Sequence, residues 1–396
     1  MAMTRFSTAV SRALDTQAAA EQLADQIDQE LEGSARIAGG LILATEAAGE
    51  AILEVGRGLA HRWPEALLLG TSFEGILADG RIFRDEPAYA VLAWPEGPFE
   101  PIPLLFESDE QDSARMAQDI LEASGRSELL PTDLVLLFPD AHASSQLERV
   151  LAELGPLLGP ASLAGAASTG VDGHPALTFV GDEAHPGAFL GLFVPGALLG
   201  EKAPIVRCAG ASRSASPWLE ITECRSRWVD GLDGEPPLDW VRRQLGLERD
   251  ASIEPHLDRL LVRVRSPTAI GVGAEGAVYE ERYVIGIDDR RGSFSLPGTF
   301  SRGDALALAL PDPAHARETL RTSIEELADA SLLLQFACRA RDETLYGDSD
   351  LESAWVAHHA PDRRILGTVS PFQLAKSDGA APQMLVHSTV LTALGG

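Results

Sequence analysis

Apolar residues in this chain come in short runs separated by helix-spaced stretches, and the same order returns three times. The first pass begins at Gly39. Leu41–Ala44 is an apolar run suited to a buried strand, and Ala48–His61 places Ile52, Leu53, Val55 and Leu59 near helical spacing. A second run, Ala66–Leu69, ends in Gly70, Thr71 and Ser72, and Ala88–Trp94 predicts a further strand. The second pass, from Thr132, gives strand Leu134–Phe138 and a helix over Ser144–Leu154, with Leu147, Val150, Leu151 and Leu154 on one face. Ser162–Ala164 then leads into Gly165, Ala166, Ala167 and Ser168, with strands predicted at Ala176–Val180 and Ala188–Val194. The third pass, from Ser331, predicts strand Leu332–Ala337, helix Asp350–His359, a strand to Leu366, then Gly367, Thr368 and Ser370, and a last strand over Met384–Leu394.

The interval from first strand to glycine is 29 residues from Leu41 to Gly70, 31 from Leu134 to Gly165 and 35 from Leu332 to Gly367. Three such units point to repetition rather than chance. The expected fold class is mixed α/β: repeated β-α-β-β units, as layered sheets flanked by helices, in two modules. Within each unit the strand-helix-strand step predicts a parallel pair, with later strands added antiparallel. Between the second and third passes lies a β-rich region, with short strands in RLLVRVRS, RYVIGIDD, GSFSLPG and ALALAL. There IGIDDRRGSFSLPG reads as a hairpin turned by Asp288–Gly292, and a helix is expected around Leu238–Leu245. Residues 1–31 read mainly as an amphipathic helix.

Module boundaries follow from these patterns. The first module is expected over residues 1–207, with repeats at about 39–95 and 132–196. The small, polar stretch Cys208–Pro217 reads as a linker, and the second module is expected over 218–396, with the third repeat at about 331–394.

Charge narrows the function classes. The chain has 396 residues with 32 Lys+Arg against 59 Asp+Glu, a net −27, so it repels phosphate backbones and anionic lipid heads; neither nucleic acid nor a membrane is an expected partner. Hydrophobic residues at 45% are enough for substantial cores, which excludes whole-chain disorder. Cys208, Cys224 and Cys338 are too few and scattered for a disulfide framework or zinc finger and fit a reducing compartment. With no signal-peptide pattern at the start and no spanning apolar stretch, a cytoplasmic location is expected.

The chemistry-bearing candidates gather at the glycine-hydroxyl stretches. Gly70-Thr71-Ser72, Gly165-Ala166-Ala167-Ser168 and Gly367-Thr368, read as turns at strand ends, would expose N–H groups and hydroxyls to an anion or carboxylate; the competing reading is that glycine only permits a tight connection. Cys338 ends a strand between apolar residues and Arg339 and Arg341, which suits a lowered thiol pKa or simple burial. His387, with His358 and His359, allows a Cys/His nucleophile or a Cys-His metal site to be drawn, but no spacing specifies either; no metal or cofactor is expected. Gly271, Gly273 and Gly276 satisfy G-x-G-x-x-G, but a strand pattern follows where a helix should open, so nucleotide binding is rejected. No Walker, HExxH or GxSxG motif is present.

Several of these stretches resemble the FIST family, an N-terminal FIST module followed by a FIST C module. Phe6–Ala9 before a helix resembles the family's entry, LLLGTSFEG and SLAGAASTG its glycine-hydroxyl segments, and YVIGIDDRRGSFSLPG the C-module hairpin. Phe336–Arg341 resembles a Cys-x-x-Arg strand end, with Arg341 in the arginine place, and LVHSTVLTAL the closing strand. The sequence departs from the pattern at Glu74-Gly75, where the order is reversed, at Pro371-Phe372-Gln373, which has no acidic residue, and at His387-Ser388. The resemblance implies an intracellular, non-enzymatic sensory protein that binds a small molecule, an amino acid or small carboxylate, here as a stand-alone module, with a signalling protein as a further partner. The ligand-binding residues it suggests are Gly70, Thr71, Ser72, Gly165, Ala166, Ser168, Cys338, Arg341, Gly367, Thr368 and His387, with none catalytic. The alternatives are a signalling scaffold and a Cys- or Ser-dependent hydrolase or transferase.

Overall fold

The computed structural model describes residues 6–31, 36–97, 100–106, 113–199, 204–265, 279–327, 330–376 and 381–394. The chain divides into two compact units. The first comprises Met1–Ala209, Thr319–Met384 and Ser388–Gly396, and the second comprises Gly210–Glu318 with Leu385–His387.

The first repeat runs β1 (Ser7–Ser11), α1 (Thr16–Glu30), β2 (Ile37–Thr45), α2 (Ala51–Arg62), β3 (Leu67–Phe73), the hairpin β4 (Gly75–Ala78) and β5 (Arg81–Phe83), and β6 (Tyr89–Pro95). Asp15 caps α1, its Oδ1 accepting from Ala18 N at 2.8 Å. The expected N-terminal helix is thus preceded by an edge strand. α1 and α2 bury Leu23, Ile27, Ile52, Val55 and Leu59, the helix-spaced positions, against β2. Helices cover one side of β2 and the repeat interfaces the other, which is why this strand reads as a continuous apolar run.

The second repeat follows the same order: β7 (Ile102–Phe106), α3 (Ser113–Ser124), β8 (Leu134–Phe138), α4 (Ser144–Leu158), β9 (Ser162–Ala166), the hairpin β10 (Thr178–Val180) and β11 (Glu183–Ala184), and β12 (Phe189–Val194), with a short α5 (Gly196–Leu199) after it. The third opens with β13 (Ile205–Gly210), and there the chain leaves for the second unit. That unit contains β14 (Ser212–Ser214), β15 (Leu219–Arg225), β16 (Trp228–Leu232), α6 (Pro237–Leu245), β17 (Leu261–Arg265), β18 (Glu280–Tyr283), β19 (Gly286–Asp288), β20 (Ser293–Ser295) and β21 (Ala305–Pro311). The third repeat then resumes with α7 (Pro313–Glu326), β22 (Leu332–Cys338), α8 (Glu343–Tyr346), α9 (Leu351–His359), β23 (Arg364–Ser370), the hairpin strands β24 (Gln373–Lys376) and β25 (Gln383–Leu385), and β26 (Ser388–Leu394).

Three six-stranded sheets result, ordered β1-β6-β2-β3-β10-β11, β7-β12-β8-β9-β24-β25 and β13-β26-β22-β23-β4-β5. In each, the central pair (β2/β3, β8/β9, β22/β23) is parallel, as the crossover predicts. The last two strands of each sheet come from another repeat: the second lends its hairpin to the first, the third to the second, and the first to the third. The exchange closes on itself. At the centre one phenylalanine from each repeat meets edge to face, Phe73 with Phe138 at 5.5 Å and Phe138 with Phe336 at 5.9 Å.

Three sequence readings change. The glycine-hydroxyl stretches are strand interiors, not turns: Gly70, Gly165 and Gly367 sit in β3, β9 and β23. A Cβ on them would stand 2.7, 1.9 and 1.7 Å from the carbonyl oxygens of Ile42, Leu137 and Gln335 on the parallel neighbour. Glycine is needed there for close strand approach, and the ladder takes its N–H groups. Cys208–Pro217, read as a linker, takes in the end of β13 and all of β14, and the boundary between compact units falls inside it. Compactness also places the third repeat with the first two, because the β-rich region is inserted between β13 and α7.

The second unit is one eight-stranded sheet, ordered β18-β17-β21-β15-β16-β20-β19 with β14 beside β21. Its core gathers Ile221, Val229, Trp240, Val262, Phe294 and Leu306. The expected hairpin is present: β19 and β20 pair from Gly286↔Ser295 to Asp288↔Ser293, and Asp288 Oδ1 accepts from Arg290 N and Arg291 N at 3.1 and 3.2 Å. The Gly271–Gly276 motif lies outside the described residues. No helix among the described residues is long and apolar enough to cross a membrane.

Candidate functional site at the strand ends

β2 and β22 end at Thr45 and Cys338, and Asp140, two residues past β8, bridges Ser168 at the equivalent place; each is followed by a 3₁₀ turn, Glu46–Ala48, Ala141–Ala143 and Arg339–Arg341. The three end residues do different work. Thr45 Oγ1 donates to Glu86 O at 2.7 Å and accepts from Ala88 N at 3.1 Å, tying the next strand in place. Asp140 Oδ2 accepts from Ala176 N at 2.6 Å, and its Oδ1 accepts from His142 N at 2.7 Å. Cys338 is buried, and its Sγ donates to Pro371 O at 3.6 Å.

The strand hydroxyls divide into engaged and unpartnered ones. Thr71 Oγ1 and Thr178 Oγ1 lie 2.9 Å apart across β3 and β10. Ser72 Oγ donates to Thr169 O at 2.7 Å and accepts from Leu177 N at 3.2 Å. By contrast Ser168 Oγ, Thr169 Oγ1, Thr368 Oγ1 and Ser370 Oγ are buried with no hydrogen-bond partner. The register brings Ser168, Thr368 and Ser370 to one strand end. Ala166 pairs with Gln373 and Ala167 N donates to Phe372 O at 3.0 Å, so Ser168 comes opposite Pro371, beside Ser370. Thr368 and Ser370 in turn lie two residues apart on the face of β23 that pairs with Phe336 and Cys338. Leaving a buried hydroxyl unsatisfied costs about 1–3 kcal/mol, so a group of them demands a reason.

Arg341 lies deeper, in a closed network. Its side chain is 1% exposed and that of Glu352, in the first turn of α9, 4%. Arg341 Nε donates to Glu352 Oε2 at 2.7 Å, Nη1 to Ala209 O at 3.0 Å and Nη2 to Tyr346 OH at 3.2 Å. Tyr346 OH donates to Glu352 Oε2 at 3.0 Å, and Thr389 Oγ1 bonds the other carboxylate oxygen. Burial works against the charged guanidinium, but Glu352 and Tyr346 outweigh it and hold the Arg341 pKa above its ordinary value. All three guanidinium nitrogens are therefore engaged by protein.

His387 belongs to the second unit. It sits at φ +50°, its ring 5.1 Å from that of Tyr283, and its carbonyl accepts from Ala211 N at 2.9 Å. His359 Nδ1 lies 2.9 Å from Trp355 O at the end of α9, the place where histidines complement the helix dipole. Among the described residues no group of three or more His, Cys, Asp or Glu side chains is arranged to hold a metal ion.

A charged rim at the same strand ends was not singled out as a site from the sequence. Glu74 follows β3 and Arg84 follows β5. Arg84 Nη1 donates to Asp342 Oδ2 at 2.6 Å, and Arg339 Nη1 donates to Glu74 Oε2 at 3.4 Å. Burial pushes the Glu74 carboxyl above the usual range, against the opposing pull of Arg339 and Arg84. The Glu74-Gly75 pair and the arginines flanking Cys338 were visible as residues. The Arg84–Asp342 pair, 258 positions apart, carried no sequence signal.

The FIST N domain matches the chain over residues 40–235. Among solved structures, cyanuric acid hydrolase from A. caulinodans aligns over 99% of this chain and 99% of its own, at 11% identity. Its TM-score of 0.31 is too low for that likeness to carry an argument. No curated protein matches the chain.

Proposed function

The chain belongs to the FIST family through its N domain, a family of sensory, small-ligand-binding domains, and on that premise we propose that it is a non-catalytic cytoplasmic sensor for an amino acid or small carboxylate. The ligand binds at the strand ends of the first unit. The observation that carries this reading is the group of buried, unpartnered hydroxyls of Ser168, Thr169, Thr368 and Ser370 beneath a rim that carries both signs of charge. Neutral donors and acceptors already stripped of water form bonds to an incoming polar molecule without a further desolvation cost. Gly70, Gly165 and Gly367 serve by bringing the strands close enough to set the hydroxyls.

A catalytic role is disfavoured by how the candidate nucleophiles are used. Ser72 Oγ is bonded on both sides to backbone, Asp140 is held by two backbone N–H groups and lies 3.0 Å from the His142 ring, and the buried Cys338 thiol donates to a carbonyl. Signal output to a partner protein would follow ligand-dependent ordering of the rim.

A thermal-shift screen with amino acids and small carboxylates, run on the wild type and on Ser168→Ala and Ser370→Ala, tests the reading. Each alanine variant should leave the unliganded protein as stable or more stable, by about 1 kcal/mol, because a buried unsatisfied hydroxyl is removed. The same variants should lose the ligand-induced shift. Absence of any shift in the wild type sinks the reading, and so does a loss of unliganded stability in both variants, which would mark the hydroxyls as structural.

A further inference from the structure

Three carboxylate residues are buried among the described residues, Asp133, Asp140 and Glu352, all in the first unit. Asp133 is paired with Arg126 at 2.9 Å and Glu352 with Arg341 at 2.7 Å. Asp140 pairs with no arginine or lysine among the described residues. Its Oδ2 accepts from Ala176 N at 2.6 Å, and its Oδ1 accepts from His142 N at 2.7 Å and lies 3.0 Å from His142 Nδ1. Burying a carboxylate without a cation is costly, so Asp140 stands apart from the other two.

The Asp140–His142 pair is also confined to the second repeat. The middle residues of the three 3₁₀ turns are Ala47, His142 and Ala340, and the residues before the turns are Thr45, Asp140 and Cys338. Alanine thus serves the backbone at this place twice, and the turn has no need of a ring. A carboxylate oxygen only accepts, so in the neutral ring the hydrogen sits on Nδ1 and Nε2 is left as an acceptor. The His142 side chain is 52% exposed against 3% for Asp140, and Nε2 has no partner among the described residues. The ring therefore carries the field of a buried charge to the surface. Ser168, which Asp140 bridges, has an unpartnered hydroxyl, so no bond joins it to the ring and the pair lacks an engaged nucleophile.

We propose that Asp140 and His142 are the amine receptor of the strand-end site. The ammonium group of an amino acid donates to His142 Nε2, and Asp140 fixes the ring and supplies the countercharge behind it. The proposal rests on the sensory reading above and narrows its ligand to molecules that carry an ammonium group. Neutral His142 and Asp140 hold one negative charge between them, which one ammonium cancels, whereas an acid without an amine adds a second.

The test is titration calorimetry of L-alanine, L-glutamate and L-arginine, each beside its N-acetyl derivative, with acetate as the amine-free acid. The proteins are the full chain and its His142→Ala variant, which should keep the wild-type denaturation midpoint because two repeats already carry alanine there. At least one amino acid should bind the wild type, with its N-acetyl derivative about tenfold weaker or more. His142→Ala should weaken that amino acid by about tenfold and leave its N-acetyl derivative within about twofold of its wild-type Kd. In imidazole nitrogen NMR spectra the His142 ring, identified by its absence from the variant, should be protonated at Nδ1 and should shift at Nε2 when the amino acid is added. Equal binding of amino acid and N-acetyl derivative, acetate binding that depends on His142, or an unchanged amino-acid Kd in His142→Ala overturns the proposal. Loss of folding in the variant would make the ring structural and overturns it as well. A ligand, amine or acid, that binds the wild type and His142→Ala alike removes this role and leaves the sensory reading standing. If neither the amino acids nor acetate bind, both fall.

Discussion

The first and third repeats share one fold, yet the layers beneath their helices differ in kind. Under α2 the first repeat presents Ile42 opposite Gly70 and Tyr89 opposite Ala44, with Ala48 in the 3₁₀ turn. At the matching places the third repeat has Gln335 opposite Gly367, Thr389 opposite Ala337, and Arg341 in the turn, with Glu352 reaching in from α9. The second repeat sides with the first, having Leu137 opposite Gly165 and Ala143 in its turn. An apolar layer therefore suffices to hold a helix on this sheet. The polar layer of the third repeat is a local specialisation, and it lies directly behind the strand end that supplies Cys338 and Ser370.

Three experiments break or sharpen that contrast. The largest effect is expected from Glu352→Gln, which leaves Arg341 buried without its counter-ion; chemical denaturation should show a loss of about 3–5 kcal/mol. The double change Arg341→Met with Glu352→Leu, which makes the layer resemble its two counterparts, should recover most of that loss. If the single variant costs no more than an ordinary surface substitution, the network is not what holds α9.

The second experiment imports the residue of the second repeat. Both amide atoms of Gln335 are buried and unpartnered, so Gln335→Leu should stabilise the unliganded protein by about 1–3 kcal/mol, read from the denaturation midpoint at constant m-value. A loss of stability would show that the amide is satisfied and the contrast overstated.

The smallest effect concerns pH. The Glu74 carboxyl is raised by burial, so the folded protein binds its proton more tightly than the unfolded chain does. The stabilisation from this group is fully present below the ordinary carboxyl value of 4.5 and is lost as the pH rises through the raised folded value. Stability of the wild type relative to Glu74→Gln should therefore fall over that window and then level off. A difference that grows with pH instead would mean that Arg339 and Arg84 outweigh burial.

The repeats were legible in the sequence because buried strands and amphipathic helices impose periods of 2 and 3.6 on the residues themselves. Ile52, Val55 and Leu59 declare α2 without any tertiary information. The hairpin exchange was not legible: GILADGRIF looks like any short turn-linked pair, and its partner strand β23 lies far along the chain. The glycine-hydroxyl stretches misled for a related reason, since a glycine required by a carbonyl of the adjacent strand looks the same in one dimension as a glycine required by a turn. The insertion between β13 and α7 was hidden because Cys208–Pro217 read as a linker between modules, not as the place where the chain leaves the third repeat. At the site, Cys338 and Arg341 could be named from local context, whereas the partners that decide their roles, Glu352 and Tyr346, depend on how α8 and α9 fold back. His142 becomes interesting only once the three turns are set side by side.

The circular loan of hairpins also bears on what can be cut from this chain. A fragment ending near residue 235, where the family match stops, would leave β9 without β24 and the β4–β5 hairpin without its host strand. Two open strand edges would then face solvent, the condition that invites pairing between molecules. The repeats are thus fixed in number as well as in order, since removing or adding one leaves a lender with no borrower.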